Sequence, residues 1–540
     1  MSLHKSIFAK NRSIMIRENN TVECLVCENR KPVVIVVFFL FLIVEIESLL
    51  NERGVKSMFS LNKLFMPLGI VVGLFSGAYL PDMGISALQA ASIVGVISDE
   101  NGDPIEDALI MIKSKKNTSG KKSKKTVSTD SEGVYEIDNV KKGKYKLTVK
   151  SKGYETVTEV LTTTNNSEEV ERDFVLTFST YTKTSDTKTM DAAVASYNEI
   201  GVLRKQVPID GDAIASAYEG ELQDLTKEVD AENTLTLDSD ILAAIEDIKN
   251  NNEPDLAVQV IDKTLQRLFY LAILERITDV RDDFHDGKKS DLKFLWDEAY
   301  AAYQAIAGTA DRENKVITED RTSIETGSNP NLEDRITIAF VRGQDALDRK
   351  DHDEDEITVG VQRQVIRLSL VRAFYIAVLR EVEGVLNNKD SDQEKALVYQ
   401  KEGEVYYRII EEFVSRDNPE GNEIIKSQLT GDLADVNADT LVSELSKGFI
   451  GRVRGELESN ESALNANDRG DAMVTAEEAL LYSEVFLEDL ELRLGADDSE
   501  EIEDVLYELK DASDEVNKEN ADTASQTIST ILDSYENVLL

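Results

Sequence analysis

Carboxylates dominate the chemistry this chain can offer. Asp and Glu number 103 against 60 Lys and Arg, a formal net charge of −43 over 540 residues. Carboxylate and phenolate oxygens are hard donors that suit Ca²⁺, Mg²⁺, Mn²⁺ and ferric iron. The donors best placed by spacing lie in segments with a helical apolar period. Glu298 stands in Trp-Asp-Glu-Ala-Tyr and Glu402 in Lys-Glu-Gly-Glu-Val-Tyr-Tyr. Further on, Glu477, Glu484, Glu488 and Glu491 are 7, 4 and 3 residues apart, which predicts one stripe of a single helix with Tyr482 beside it. Glu298, Glu402, Tyr482, Glu484, Glu488 and Glu491 are therefore the candidate metal ligands. The competing reading of the stripe is a solvated, charged face. No motif demands a cofactor; iron or Ca is what these donors would take.

Other chemistry is poorly provided for. The three His include His285 and His352, which stand alone, without HExxH, HxxE or the Glu-x-x-His of di-iron bundles. The run from Asp351 through His352 to Glu356 lacks EF-hand spacing and reads as a solvated loop. Cys24 and Cys27 form one CxxC with no second pair to complete a zinc site. No nucleophile–base pair and no phosphate-cradling glycine loop is visible. A strongly negative chain repels nucleic acid and anionic membrane surfaces and attracts cations. The composition thus points away from an enzyme, and toward a metal cation or a basic protein surface as partner, with no nucleic acid.

The elements that carry these donors include an internal repeat. Thr264-Leu-Gln-Arg-Leu-Phe-Tyr-Leu-Ala-Ile-Leu aligns with Ser369-Leu-Val-Arg-Ala-Phe-Tyr-Ile-Ala-Val-Leu at an offset of 105 residues. Glu298 and Tyr303 then match Glu402 and Tyr407 after a one-residue shift. Arg267 and Arg372 interrupt apolar helices, and a buried guanidinium needs a carboxylate. The expected ion pairs are Arg267 with Glu298 and Arg372 with Glu402, fixing the register of successive helices.

Two patterns divide the chain. Residues 92–177 alternate with period 2: strands at 93–97, 108–112, 134–137 and 145–149 are separated by turns, of which Asn101-Gly102 predicts a hairpin. A lysine-rich loop spans 113–125. This is a small all-β sandwich. After a linker at 178–189, apolar residues recur at helical spacing, as in Ile261, Leu265, Leu268 and Ala272, broken near 250–254, 285–288 and 326–331. This is a large all-α region, divided as an acidic domain with the two repeat units at 190–440 and a C-terminal acidic hairpin region at 441–540. Ahead of the sandwich, residues 58–91 have a lysine, an apolar core and small residues in the order of a signal peptide. Residues 1–57, with an apolar run at 32–44, read as an over-extended start or an anchor. The chain is expected to be exported, its mature part having no membrane span and beginning near 90–92.

The order Gly95-x-x-x-Asp99, Asn101-Gly102-x-Pro104, Thr129-Asp130-x-x-Gly133-x-Tyr135, Gly143-x-Tyr145-x-Leu147 and Gly153-Tyr154 resembles the carboxypeptidase regulatory-like domain, a transthyretin-like sandwich. That resemblance implies a structural or binding accessory rather than a peptidase. The stretches around Tyr218, Asp262 and Leu295 look like the iron-assimilation (Fea-type) periplasmic proteins. The segment Asn467–Ala472 with Ala476 onward is similar to the extracytoplasmic helical part of bacterial iron permeases. These likenesses imply a role beside iron uptake. Arg380-Glu381-Val382-Glu383-Gly384 departs from the permease R-E-x-x-E pattern at its last position, so transport itself does not carry over. The function expected is a non-enzymatic, extracytoplasmic binding or accessory protein for a hard cation; the alternative is a structural or adhesion-type cell-surface protein.

Overall fold

The computed structural model describes residues 91–99, 102–114, 124–163, 169–350 and 353–540. The signal-peptide reading, the apolar run at 32–44, Cys24 and Cys27, most of the lysine-rich loop, Asp351 and His352 lie outside those residues.

The β module contains two sheets. In one, β1 (Ala91–Asp99) pairs antiparallel with β4 (Val134–Val140) and, in parallel, with the short strands β7 (Glu169–Glu171) and β8 (Phe174–Leu176). In the other the order is β3 (Lys124–Ser128), β2 (Leu109–Ser114), β5 (Gly143–Lys150) and β6 (Val157–Thr163). The period-2 alternation sends Ile93, Ile97, Ile110, Ile112, Tyr135, Ile137, Leu147 and Val149 into one shared core. Gly95 is required because a Cβ there would meet the Arg172 carbonyl oxygen at 1.8 Å. The Tyr135 hydroxyl donates to that same carbonyl at 2.7 Å.

Asn101 lies outside the described residues, but the chain does fold back here: Ser98 and Pro104 form an antiparallel bridge, with Gly102 at φ +93° between them. The hairpin is short, because β1 and β2 belong to different sheets and the chain crosses the core beyond Pro104. The crossover is tied down by buried Thr129, whose Oγ1 donates to the Ile105 carbonyl (2.6 Å) and accepts from the Ala108 N–H (2.8 Å). A turn signature specifies local backbone, not which strand it will pair with.

Fifteen α-helices follow among the described residues. They are α1 (Lys188–Leu203), α2 (Gly211–Tyr218), α3 (Glu221–Asn233), α4 (Leu237–Lys249), α5 (Pro254–Asp282), α6 (Lys289–Ala310), α7 (Leu332–Arg349), α8 (Asp353–Asn388), α9 (Gln393–Ser415), α10 (Pro419–Thr430), α11 (Ala438–Ala466), α12 (Arg469–Ser483), α13 (Leu487–Leu494), α14 (Ala496–Asp514) and α15 (Lys518–Glu536). A two-stranded ribbon, β9 (Lys315–Ile317) with β10 (Ile324–Thr326), sits between α6 and α7. Asp210, Asp392, Asn418, Asn437, Asp468 and Asn517 accept the first free backbone N–H groups of their helices. No helix among the described residues is long and apolar enough to cross a membrane.

One hydrophobic core runs from Tyr181 to Tyr535. The boundary expected at 440/441 therefore falls inside α11, and α11 packs on α9, α10, α12 and α15. The repeat motifs sit on α5 and α8, each followed by a helix packed against it, α6 and α9. The two copies meet where the Tyr270 and Phe374 rings cross edge to face at 5.5 Å.

Residues 178–189 are not a free linker. Tyr181 is buried in the helical core and stacks on Tyr300. Its hydroxyl donates to Asp297 Oδ1 at 2.6 Å. Asp297 Oδ2 accepts from the Thr184 N–H (2.9 Å), the Thr184 hydroxyl (3.1 Å) and the Ser185 N–H (2.7 Å). Asp297 is 0% exposed, so these donors take the place of water. Replacing Asp297 by Ala leaves several of them unsatisfied. The Asp297→Ala variant is expected to lose about 3 kcal/mol in urea unfolding and to be cut by trypsin at Lys183 faster than wild type.

Candidate functional site

The residues singled out from the sequence do not converge. Glu298 on α6 accepts from Arg276 Nε of α5 at 3.0 Å, and Arg276 also reaches Glu228 of α3 at 3.3 Å. Glu402 on α9 faces Lys263 of α5 at 3.4 Å. Arg372 of α8 pairs with Glu484, Nη1 to Oε2, at 3.0 Å. Arg267 has no carboxylate within ion-pair distance among the described residues; Arg408, Glu411, Glu412 and Asp240 are its charged surroundings. Both expected pairings, Arg267–Glu298 and Arg372–Glu402, are thus replaced.

Helix length explains the exchange. In a closed helical hairpin, residues pair when they lie at similar distances from the turn. Arg276 and Glu298 each lie roughly two turns from the α5–α6 connection, whereas Arg267 lies roughly four turns away. The same offset of 105 places Glu381 where Arg276 stands. The dipeptide Glu275-Arg276 of the first repeat is inverted to Arg380-Glu381 in the second. Glu402 therefore meets a second carboxylate, not a guanidinium. Burial raises the Glu381 pKa and nearby Glu402 raises it further, against the pull of Arg380. Glu402 in turn looks to Lys263, which also bonds Asp262 at 2.7 Å. Asp262 completes the network with Arg204 (3.0 Å) and the Tyr197 hydroxyl (3.1 Å). Although burial opposes its charge, Lys263 and Arg204 hold Asp262 below the ordinary carboxylate range.

The predicted glutamate stripe is broken. The helix stops at Ser483 and restarts at Leu487, so Glu477 and Glu491 are on different helices with Glu484 in the turn between them. Glu477 pairs with Lys510 of α14 at 2.8 Å. Glu491 is exposed. The Tyr482 hydroxyl accepts from Arg452 Nη2 at 3.0 Å, inside the core. Burial raises its pKa, offset in part by Arg367 and Arg452. A turn that lets Val485 and Phe486 bury themselves overrides the helical spacing here.

Glu484 and Glu488 do remain neighbours, and they define an enclosed polar site. Glu484 receives two guanidiniums, Arg335 Nη1 at 2.5 Å and Arg372 Nη1 at 3.0 Å. Burial pushes its pKa up, but those arginines outweigh burial and hold it below the usual range. Glu488 accepts from Asn314 Nδ2 at 2.5 Å and is raised by burial. Asp489 is bound by Arg493 Nε (2.6 Å) and the Tyr535 hydroxyl (2.5 Å), while its Oδ1 has no hydrogen-bond partner. Glu484, Glu488, Asp489, Arg372 and Asn314, with Lys315 and Tyr375, line a cavity of about 20 Å³, room for about one water molecule. Among the described residues, no set of three or more His, Cys, Asp or Glu is placed to hold a metal ion. Arg335 and Asn314 carry no motif; they reach Glu484 and Glu488 from α7 and from the start of the β9–β10 ribbon, while Asp489 and Arg493 share α13 with Glu488.

A second, larger cleft of about 360 Å³ opens between the β module and the helices, lined by Tyr154, Phe178, Arg335, Arg342, Tyr507 and Lys510 among others. It follows from the docking of the module on α7, where Arg342 Nε donates to the Lys152 carbonyl at 3.3 Å.

Fold and site together define a β-sandwich module joined to a large acidic helical region in which Glu298, Glu402, Glu477 and Glu484 each face an arginine or lysine. Residues 92–177 match the carboxypeptidase regulatory-like domain. No curated protein matches the chain.

The double pairing of Glu484 sets a clear order among variants. Glu484→Ala strands Arg335 and Arg372 and is expected to cost about 3–5 kcal/mol, whereas Arg372→Met removes one charge from a carboxylate that keeps Arg335 and costs less. Because Glu484 is held low, its stabilisation is present above its ordinary titration range and fades as pH falls through its folded value. Urea midpoints of wild type and Glu484→Gln should therefore converge on acidification below about pH 4.

Proposed function

We propose that the chain is an exported, non-enzymatic accessory protein that works by binding at its surface. The observation that supports this is the fate of the interior carboxylates. Glu298, Glu402, Glu477 and Glu484 each face an arginine or lysine of another helix, and Asp297 is saturated by hydroxyl and backbone donors. Their charge is used by the fold, which leaves the exposed acids to meet partners. In this reading the helical region presents an acidic face to cations or to a basic protein surface, and the β-sandwich serves as spacer or docking unit. Export rests on the signal-peptide layout of residues 58–91.

A second reading, uptake of iron or another hard cation, draws on the likeness to iron-assimilation proteins. One feature of the structure bears on it, the unpartnered Asp489 oxygen beside Glu488 at a water-sized cavity, but no three such donors among the described residues are placed together to hold a metal ion. Elemental analysis of the purified protein after dialysis separates the two. The surface-binding reading expects far less than one equivalent of any metal, with Ca²⁺ binding that weakens steeply as salt is added. Retention of a full equivalent of iron or Ca²⁺, lost in Glu488→Gln, would establish the second reading and overturn the first.

A further inference from the structure

The cleft between the β module and the helices is lined by polar groups that the fold itself does not use. Arg342 of α7 is half-buried there, and its Nε donation to the Lys152 carbonyl at 3.3 Å is its only hydrogen bond among the described residues. The glutamates of the same wall are engaged elsewhere: Glu477 by Lys510 at 2.8 Å, and Glu484 by Arg335 at 2.5 Å and Arg372 at 3.0 Å. The N–H donors on both Nη atoms of Arg342 are thus unmatched. Burial pulls this guanidinium below the ordinary arginine value, with Tyr154 and Glu477 opposing. Gln362 of α8 lines the same cleft and is 7% exposed, and its amide makes no hydrogen bond among the described residues. Buried amides are seldom left so. On the module side, Tyr154 packs its ring against Phe178 at 5.1 Å, and its hydroxyl is a further donor without a partner among the described residues. Burial pushes that hydroxyl up to about 12, so it keeps its proton at neutral pH.

The charges of the lining select the ligand. Asp99, Asp103, Asp334, Glu477 and Glu484 stand against Arg335, Arg342 and Lys510, five carboxylates to three cations. That excess repels a bare anion, and a doubly charged phosphate or sulfate more strongly. A bare cation, in turn, leaves Arg342 without a counter-ion. A ligand with one charge of each sign answers both. Its carboxylate matches the fork of the Arg342 guanidinium, which a carboxylate can take two bonds from. Its ammonium is drawn to Asp99, Asp103 and Asp334, which together with Arg342 are the charged surroundings of Tyr154. Ile338, Val365, Leu480 and Leu481 supply an apolar wall beside these groups. The volume of about 360 Å³ falls in the range of small-ligand sites, and such sites form preferentially between domains.

We propose that this cleft binds a zwitterion with apolar side chains, a free amino acid or a short peptide, its carboxylate held by Arg342 and Gln362 and its ammonium facing the aspartates. The ligand touches the module and the helices together. This site is separate from the acidic surface and does not depend on what that surface binds.

Isothermal titration calorimetry of the wild-type protein with L-leucine, Leu-Leu, N-acetyl-leucine and leucinamide tests the proposal. At least one of the two zwitterions should bind about tenfold or more tightly than both blocked forms, each of which lacks one charge. Preference for Leu-Leu over leucine identifies a peptide site, and the reverse an amino-acid site. In Arg342→Gln the preferred zwitterion should fall to the affinity of leucinamide, while leucinamide itself is unchanged. The proposal is overturned if neither zwitterion binds at millimolar concentration, if a blocked form binds as tightly as the zwitterions, or if Arg342→Gln keeps full affinity. Should Arg342→Gln fail to fold, the wild-type ligand series decides alone.

Discussion

An acidic chain that buries its helices must neutralise the carboxylates it takes inside. Leaving an ionised carboxylate alone in the interior costs more than most folds can offset. The helical region answers in two ways. Cations face Glu298 and Glu484, and hydroxyl and amide donors surround Asp297. Each answer joins separate elements, so charge compensation and tertiary assembly are the same event here.

The repeat shows how little sequence change redirects that compensation. The two copies share an Arg-Leu/Ala-Phe-Tyr run and a glutamate on the following helix. At the level where the helices face each other, Glu275-Arg276 in one copy becomes Arg380-Glu381 in the other. The first copy makes a guanidinium–carboxylate pair across its hairpin. The second sets two carboxylates together and draws Lys263 from the first copy to Glu402. The copies thereby become interdependent: Lys263 on α5 serves Asp262 on its own helix and Glu402 on α9, and removal of either helix would orphan buried charge.

Attachment of the β module uses the same device on a smaller scale. Tyr181, Thr184 and Ser185 are all held by one aspartate of α6, and Gly153 admits Ile338 so closely that a Cβ would stand 2.6 Å from it. The segment between sandwich and helices is consequently part of the helical core. A polar, threonine-rich stretch reads as a linker because its donors are visible in the sequence and its acceptor is not.

Short-range physics was legible in the residues themselves. Alternation placed four of the sandwich strands, though not β3, β6, β7 or β8, and helical period placed Ile261, Leu265, Leu268 and Ala272 on one buried face. The glycine and aspartate pattern of residues 92–177 was enough to show its likeness to the carboxypeptidase regulatory-like domain. What spacing could not convey was partnership across the core. Arg372 meets Glu484, more than a hundred residues away, because α8 packs against α12; Arg276 rather than Arg267 meets Glu298 because the hairpin turn sets the level at which side chains face. The glutamate stripe failed for a related reason: the backbone turns between Ser483 and Leu487, with Val485 and Phe486 buried in the core, at the point where local period predicts continuity. Local periodicity depends on neighbours in sequence and can be read there; ion-pair partners depend on which helices touch, and only the packed structure decides that.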